Sequence, residues 1–230
     1  MTHRSSGATV LGLGHQLRGT NAQDAFALGE APGVVAVVCD GCGSTPRAEV
    51  GAALLANVVR RAALDGLGAR VPAADVAAGL GFAATEALAV ITRAVAGDRS
   101  GEAADAFVRD HLLATVIAIV DDGATLAIAA WGDGLVAIDD EVIVLGGGDA
   151  PTYLAYSLLD GSVAPDATWS WHGPSAAVQR AAIATDGVGA DWIGGAFGHR
   201  GRGLARWLNV QARTRRLIDD ATIVVREVTS

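Results

Sequence analysis

The 230 residues suffice for one large domain or two small ones, and a hydrophobic content of 51% is ample for a buried core. A formal net charge of −8 argues against nucleic acid as a main partner, because phosphate backbones are held by excess lysine and arginine. No uncharged apolar run reaches the roughly 18–20 residues that span a bilayer, and Met1–Val10 is short and polar, unlike a signal peptide. We therefore expect one domain over residues 1–230, in the cytoplasm and without a membrane partner.

The first half of the chain is predicted to contain three strands and then two helices. Alternating and β-branched residues indicate strands at Ala8–Leu13, Ala25–Leu28 and Val34–Cys39. Thr45–Pro46 is typical of a helix start, and the apolar residues that follow it recur on one helical face. A second helix is predicted over Ala73–Val95.

The middle of the chain has the pattern of a β meander, with consecutive antiparallel strands. The predicted strands are Leu113–Val120, Thr125–Trp131, Leu135–Ile138 and Val142–Leu145. Residues 146–174 carry few periodic signals, which indicates a loop-rich segment bordering a site. Trp169 and Trp171 in that segment are interpreted as packing residues rather than as a substrate platform.

The last part of the chain is predicted to add a strand at Ala181–Thr185, a helix at Gly203–Leu217 and a strand at Thr222–Val228. Runs of strands broken by helical blocks, rather than alternating βαβ units, predict an α+β fold with antiparallel sheets. Five arginines lie on this probable helix or directly before it: Arg202, Arg206, Arg213, Arg215 and Arg216. A solvated helix face explains them better than an anion site.

Aspartates stand at the ends of four apolar, strand-like runs, at Asp40, Asp133, Asp186 and Asp219. Glycine directly follows Asp40, Asp133 and Asp186. An Asp-Gly pair taken alone is typical of an ordinary turn. In antiparallel sheets, however, an aspartate that closes one strand meets an aspartate that opens its neighbour at the same edge. Such carboxylates would repel one another, and crowded oxygen ligands suit hard divalent cations. The pattern therefore indicates a metal site.

The only two cysteines, Cys39 and Cys42, form a C-x-x-C motif around an Asp-Gly pair. Two sulfurs cannot complete a structural zinc site, and a thioredoxin-like motif is expected at a helix start rather than across such a turn. Zinc and redox functions remain minor alternatives. We expect Cys39 to pack in the core as a small hydrophobe.

Several short motifs occur in an order that resembles the metal-dependent serine/threonine phosphatases of the PP2C type, in a compact bacterial form. The motifs are Gln23–Ala25, Val37–Ser44 followed by Glu49–Ala52, Trp131–Asp133, Ala184–Gly187 and Asp219–Thr222. Each is weak alone, and together they extend the resemblance from about His15 to Val225.

The resemblance implies a four-layer αββα sandwich, in which two antiparallel sheets carry helices on both outer faces. It implies two Mn²⁺ or Mg²⁺ ions at one end, with Asp40 bridging both, the carbonyl of Gly41 contacting one, and Asp186 and Asp219 completing the pair. Asp24 is then expected to hold metal-bound water. Asp133 corresponds to the family's ligand for a more weakly held third ion.

The resemblance also implies roles for residues outside these motifs. Asp191 is the candidate for the further acidic residue that the family places after the Asp186 motif, although its offset is imperfect. Arg18 is the candidate for the arginine that grips phosphate, one residue further from Asp24 than usual. His15, in the same segment, is interpreted as a structural residue more readily than as a catalytic one.

The chain departs from the family pattern at three positions. Gln23 replaces an acidic residue but keeps an oxygen that can orient water. Cys42 occupies the position of a histidine proposed to protonate the leaving alkoxide, so a flatter dependence on acid pH is expected. Asp219–Asp220 replaces the usual Asp-Asn, and Asp219 is the metal ligand by position.

The resemblance implies hydrolysis of phosphoserine and phosphothreonine in proteins, by water activated between two cations. A phosphorylated protein, and a serine/threonine kinase or its targets, are the expected partners of a monomeric enzyme. Two alternatives remain: a catalytically weak module that binds phosphoproteins, and a phosphatase of a small phosphorylated metabolite.

Overall fold

Ten strands form two five-stranded antiparallel sheets in the computed structural model, which describes residues 2–97, 101–146 and 151–229. The first sheet runs in the order β1 (Thr2–Val10), β10 (Ala221–Thr229), β9 (Arg180–Ala184), β6 (Gly134–Ile138) and β7 (Glu141–Leu145). The second runs β2 (Ala25–Gly29), β3 (Val34–Cys39), β4 (Val116–Asp121), β5 (Thr125–Trp131) and β8 (Trp169–Pro174).

Helices cover the outer face of each sheet. They are α1 (Leu13–Arg18), α2 (Ala48–Gly68), α3 (Ala73–Ala96), α4 (Gly101–His111), α5 (Ser157–Asp160) and α6 (Arg202–Arg215). The second sheet packs against α2 and α3, and the first against α6. The predicted four-layer αββα sandwich is confirmed.

Strand β3 shows why its sequence is apolar throughout. All six of its residues are buried, because α2 and α3 cover one face and the first sheet covers the other. Val37 faces the helices, whereas Val38 faces Ile183 and Val224 of the first sheet. A strand covered on both faces loses the alternation of apolar and polar residues and reads as a continuous apolar run.

The predicted β meander is wrong at one connection. Strands β5 and β6 are consecutive in the chain but belong to different sheets, so they do not pair. Gly132 and Gly134 have φ angles of +106° and +128°, which residues with a side chain rarely adopt. These two glycines let the chain cross between the sheets, with Asp133 at the crossing.

Helices α1 and α4 and strand β8 were not predicted, because their segments show no clear periodic pattern. Strand β1 covers Thr2–Val10 rather than the predicted Ala8–Leu13, because the polar residues before Ala8 also pair along β10 and a helix begins at Leu13. Strand β8 falls in the region expected to be loop-rich, and its Trp169 and Trp171 pack against the core between the sheets as expected. Residues 147–150 of that region lie outside the described part of the chain.

Helix α3 is long and apolar enough to cross a membrane, by length and composition alone. Its Val76, Leu80 and Leu88 are buried in the cluster formed with α2 and the second sheet. Gly81 lies against the ring of Trp131 on β5, where a Cβ atom would come within 2.9 Å of ring atoms. Burial of this face explains the apolar composition of α3, which belongs to the outer helical layer of the sandwich.

Candidate metal centre

Strand ends from both sheets meet at one end of the sandwich. Strand β2 starts opposite the end of β3, so Asp24 and Asp40 are neighbours. Strand β10 starts beside the end of β9, which brings Asp219 and Asp186 to the same edge. Asp133 lies between β5 and β6. Residues up to 195 positions apart are thus gathered by antiparallel pairing.

A cavity of about 210 Å³ lies among these residues. Its lining includes Asp40, Gly41, Asp133, Asp186 and Asp219. Five of the six positions expected to contact metal or its water shell therefore border one cavity. The sixth, Asp24, does not line it and is buried beside Asp40, at the start of the paired strand.

Asp24 and Asp40 have raised pKa values for related reasons. Burial raises the pKa of Asp24 to about 7, with a further contribution from the charge of Asp220. Burial also raises the pKa of Asp40 well above its usual range, and the negative charges of Asp24 and Asp186 raise it further. The side chain of Asp40 is thus close to both of these carboxyl groups. Such a cluster holds either a shared proton or a cation.

Two threonines fix the positions of these carboxyl groups. Thr185 donates from its Oγ1 to Asp24 Oδ2 over 2.8 Å, and its Oγ1 accepts the backbone N–H of Thr222 at 3.0 Å. On the other side, the backbone N–H of Thr115 donates to the carbonyl of Asp40 at 2.8 Å. Asp24 is thus positioned by a side chain from the end of β9, in the opposite sheet.

Asp133 is half-buried at the crossing between the sheets. Burial raises its pKa, and the charge of Asp186 raises it further. Its backbone is confined because Gly146 packs against the Asp133 side chain, so that a Cβ atom at Gly146 would lie 2.6 Å from Asp133 Cβ. Asp133 and Asp186 both line the cavity and are close enough for their charges to interact.

Asp219 and Asp220 have different surroundings. Asp219 is exposed and lines the cavity. Asp220 is 2% exposed, and its two oxygens accept the backbone N–H groups of Gly12 and Gln23 at 2.7 Å each. His15 Nδ1 lies 2.9 Å from Asp220 Oδ2. The oxygens of Asp220 are thus engaged by the protein, and His15 has a structural contact.

Arg18 does not line the aspartate cavity. Its exposed side chain borders a neighbouring cavity of about 440 Å³, together with His15, Gln23 and Arg47. Gly43 lines both cavities, so the two are adjacent. Arg18 is therefore placed at the side of the aspartate cluster rather than over it.

Asp191 does not border the cavity. Its Oδ2 accepts a hydrogen bond from Arg215 Nη1 at 2.9 Å, and the Arg215 guanidinium lies 5.2 Å from the centroid of the Trp192 ring. Asp191 is therefore paired with Arg215 of α6 at the protein surface. The five arginines on and directly after α6 are exposed, as expected for a solvated helix face.

Cys42 and Tyr153 line the cavity beside the aspartates. Both cysteines are free thiols, and Cys39 is fully buried in the core as expected. Burial would raise the pKa of the Cys42 thiol, but hydrogen bonds from Ser44 and Tyr153 outweigh this and lower it. Tyr153 was not predicted as a site residue, because this tyrosine lies in a segment without periodic signals and outside every motif.

The chemistry of the cavity fits divalent cations. The acidic side chains that line it supply carboxylate oxygens, and Gly41 also borders it. The mutual raising of carboxyl pKa values shows that negative charge there lacks compensation from the protein. Oxygen-rich acidic sites with few protein ligands are typical of Mg²⁺ and related cations.

The model of the protein phosphatase 2C family matches residues 11–218. Among solved structures, the chain is similar to a bacterial serine phosphatase, with 11% identity, a TM-score of 0.65, and coverage of 99% of this chain and 98% of the other. It is similar to the serine/threonine phosphatase Stp1 from Staphylococcus aureus, with 13% identity, a TM-score of 0.61, and coverage of 100% and 96%.

A third similar structure is the catalytic domain of the serine/threonine protein phosphatase PstP in complex with two manganese ions. It has 16% identity and a TM-score of 0.57, with 99% of each chain covered. No curated protein sequence matches the chain. The structural likenesses show a shared fold, and the family match shows descent. The chain belongs to the protein phosphatase 2C family, and it is a metal-dependent phosphatase of the serine/threonine type.

Proposed function

We propose that this protein removes phosphate from phosphoserine and phosphothreonine in proteins by direct attack of water, with two divalent cations held by Asp40, Gly41, Asp186 and Asp219. The observation that supports this most strongly is the meeting of these residues in one cavity. When bound, Mn²⁺ or Mg²⁺ would lower the pKa of water and screen the phosphate charge. Asp133 is proposed to hold a third, weaker ion.

The residues of the chain have distinct parts in this proposal. Asp40 lines the cavity and is close to the carboxyl groups of Asp24 and Asp186, which suits a bridging ligand. Asp24, held by Thr185, is proposed to orient water through a hydrogen bond. Arg18 is proposed to bind a phosphate oxygen after its flexible side chain turns across Gly43 from the neighbouring cavity.

The main test is phosphate release from a phosphoserine peptide in the presence of Mn²⁺. We expect the wild-type protein to release phosphate and the Asp40→Asn variant to lose at least about 100-fold in rate. Asp140→Asn is the matched control, because Asp140 is an exposed aspartate in the turn after β6. Equal rates for the wild type and Asp40→Asn would contradict the proposed role of the cavity.

The same experiment separates the alternatives. Calorimetric titration with Mn²⁺ that shows binding without any turnover would favour a phosphoprotein-binding module. Faster turnover of nucleotides or sugar phosphates than of phosphopeptides would favour a small-molecule phosphatase. A kinase partner, a monomeric state and a cytoplasmic location stay predictions from the sequence.

A further inference from the structure

Cys42 stands at a position where the resemblance places a proton-donating histidine, so the leaving oxygen needs another partner. The Cys42 thiol lies 3.2 Å from Ser44 Oγ, and Tyr153 is close enough to contribute to the lowered pKa of this thiol. Of these neighbours, Tyr153 also lines the aspartate cavity, whereas Ser44 does not. A hydroxyl group from a distant part of the chain therefore occupies the region next to the replaced histidine.

Tyr153 is held rigidly by its surroundings. Its side chain is 93% buried, and its ring packs edge-on against Tyr156, with centroids 5.2 Å apart. The two following residues, Leu154 and Ala155, are fully buried in the cluster beneath the second sheet. The Tyr153 carbonyl accepts the backbone N–H of Tyr156 at 3.1 Å. The ring of Tyr153 is thus held by packing within the protein, without help from a ligand.

The hydroxyl of Tyr153 is a hydrogen-bond donor at neutral pH. Burial raises the pKa of Tyr153, and its contact with Cys42 and the charge of Asp40 raise it further. A phenol in these surroundings stays protonated and donates a hydrogen bond rather than a proton. Negative charge that develops on an oxygen nearby is stabilised by such a donor more than a neutral oxygen is.

The geometry points to Tyr153 as a catalytic residue that donates a hydrogen bond to the serine or threonine oxygen as this oxygen leaves phosphorus. The inference rests on the proposed function, since it assigns a partner to the leaving oxygen of that reaction. A bond forms between phosphorus and the oxygen of water. The bond to the serine oxygen breaks and leaves its electron pair there. The serine oxygen then takes a proton from solvent. Solvent in turn receives the proton that the attacking water loses. Tyr153 keeps its hydroxyl proton throughout.

The test compares two leaving groups in the Tyr153→Phe variant, which keeps the buried ring. A phosphoserine peptide releases a strongly basic oxygen, whereas p-nitrophenyl phosphate releases a weakly basic one that needs little stabilisation. We expect kcat on the peptide to fall roughly 10- to 100-fold, as for loss of a hydrogen bond to a charged group. The kcat on p-nitrophenyl phosphate is expected to stay within about twofold.

Tyr156→Phe is the matched control, because its hydroxyl is on the neighbouring exposed ring and is not part of the cavity lining. It should leave both rates unchanged. Calorimetry should give the same Mn²⁺ affinity for Tyr153→Phe as for the wild type, which separates the inferred role from damage to the metal site. A second variant, Cys42→His in the Tyr153→Phe background, is expected to recover the peptide rate and to add a dependence on acid pH.

Equal losses on both substrates, or no loss on the peptide, would overturn the role of Tyr153 while phosphatase activity in the wild type stands. If the wild type released phosphate from neither substrate, the proposed function itself would be overturned. The two failures are therefore distinguishable.

Discussion

Asp219 and Asp220 are adjacent in the chain, yet the fold gives them separate tasks. Strand β10 begins immediately after them, and one side chain points to the cavity while the other points into the protein. Asp220 connects β10 to the segments that carry Gly12 and Gln23. It thereby holds α1 and the segment that leads to Asp24 in place. Within the described part of the chain, the Asp219 carboxylate accepts a hydrogen bond only from the backbone N–H of Asp220.

This difference predicts opposite effects for a matched pair of substitutions. Asp220→Asn places an amide group against backbone N–H donors, so we expect the free energy of unfolding to fall by roughly 1–3 kcal/mol. Asp219→Asn should leave it within about 0.5 kcal/mol of the wild type. Urea unfolding in the presence of a chelator measures both, without the contribution of bound metal.

The same pair is expected to reverse its order in a kinetic assay. Asp219→Asn should reduce Mn²⁺-dependent turnover by at least about 100-fold, because a ligand is lost. Asp220→Asn should retain more activity than Asp219→Asn at temperatures where it is folded. A larger kinetic loss for Asp220→Asn would show that Asp220, rather than Asp219, serves the cations.

At the scale of elements, the two sheets are joined by a buried ion pair away from the cavity. Arg226 lies on β10 in the first sheet and is fully buried. Its Nε and Nη2 donate to Asp121 Oδ2, at the end of β4 in the second sheet, at 3.0 and 2.6 Å. Arg226 also donates to Ser175 Oγ and to the carbonyl of Val178, at 2.7 Å each. The guanidinium is thus well supplied with acceptors.

Breaking this pair on one side should be more harmful than removing it entirely. Arg226→Met leaves the Asp121 carboxylate buried without its partner, and we expect a loss of roughly 3–5 kcal/mol in the free energy of unfolding. Combining it with Asp121→Leu should restore much of that loss, since no buried charge remains. Urea denaturation of the two variants gives the comparison.

The double variant also checks whether the pair is separate from the reaction. Five strand residues separate Arg226 from the start of β10 at the cavity, or about 17 Å of extended chain. Phosphate release by the folded double variant should therefore match the wild type. A double variant that is no more stable than Arg226→Met would contradict the account of the unpaired charge.

For the whole molecule, the collected aspartates couple folding to pH and to metal. The folded protein keeps protons on Asp24 and Asp40 at pH values where the unfolded chain has released them, because their pKa values lie above the ordinary 3.8. The unfolded state therefore binds fewer protons, and the stability of the metal-free protein falls as pH rises from about 4 through about 7. Divalent cations displace these protons, so their stabilising effect grows in the same window.

We expect the Tm in chelator to fall between pH 5 and pH 8, and added Mn²⁺ to raise Tm more at pH 8 than at pH 5. Asp24→Asn serves as the control because it removes one of the titrating groups but keeps its shape. Its Tm in chelator should vary less with pH than the wild-type Tm. A wild-type Tm that is independent of pH would exclude this coupling, and a wild-type Tm that falls no more steeply than that of Asp24→Asn would exclude the contribution of Asp24.

Much of this protein can be predicted from its amino-acid sequence. Strands β3 and β5 were predicted with the bounds that the structure gives, because continuous apolar runs between turn residues are strong local signals. The convergence of Asp40, Asp133, Asp186 and Asp219 follows from their positions at strand ends and from antiparallel pairing. The family and the layered fold follow from the order of the motifs.

Tertiary structure decided what depends on contacts between distant segments. It separated β5 from β6 into different sheets, directed Asp220 rather than Asp219 into the protein, and placed Tyr153 beside Cys42. It also put Arg18 in a neighbouring cavity. The physical reason is that hydrophobic periodicity records which faces are buried but not which segments cover them. Hydrogen-bond partners and cavity walls are set only when the two sheets and their helices pack together.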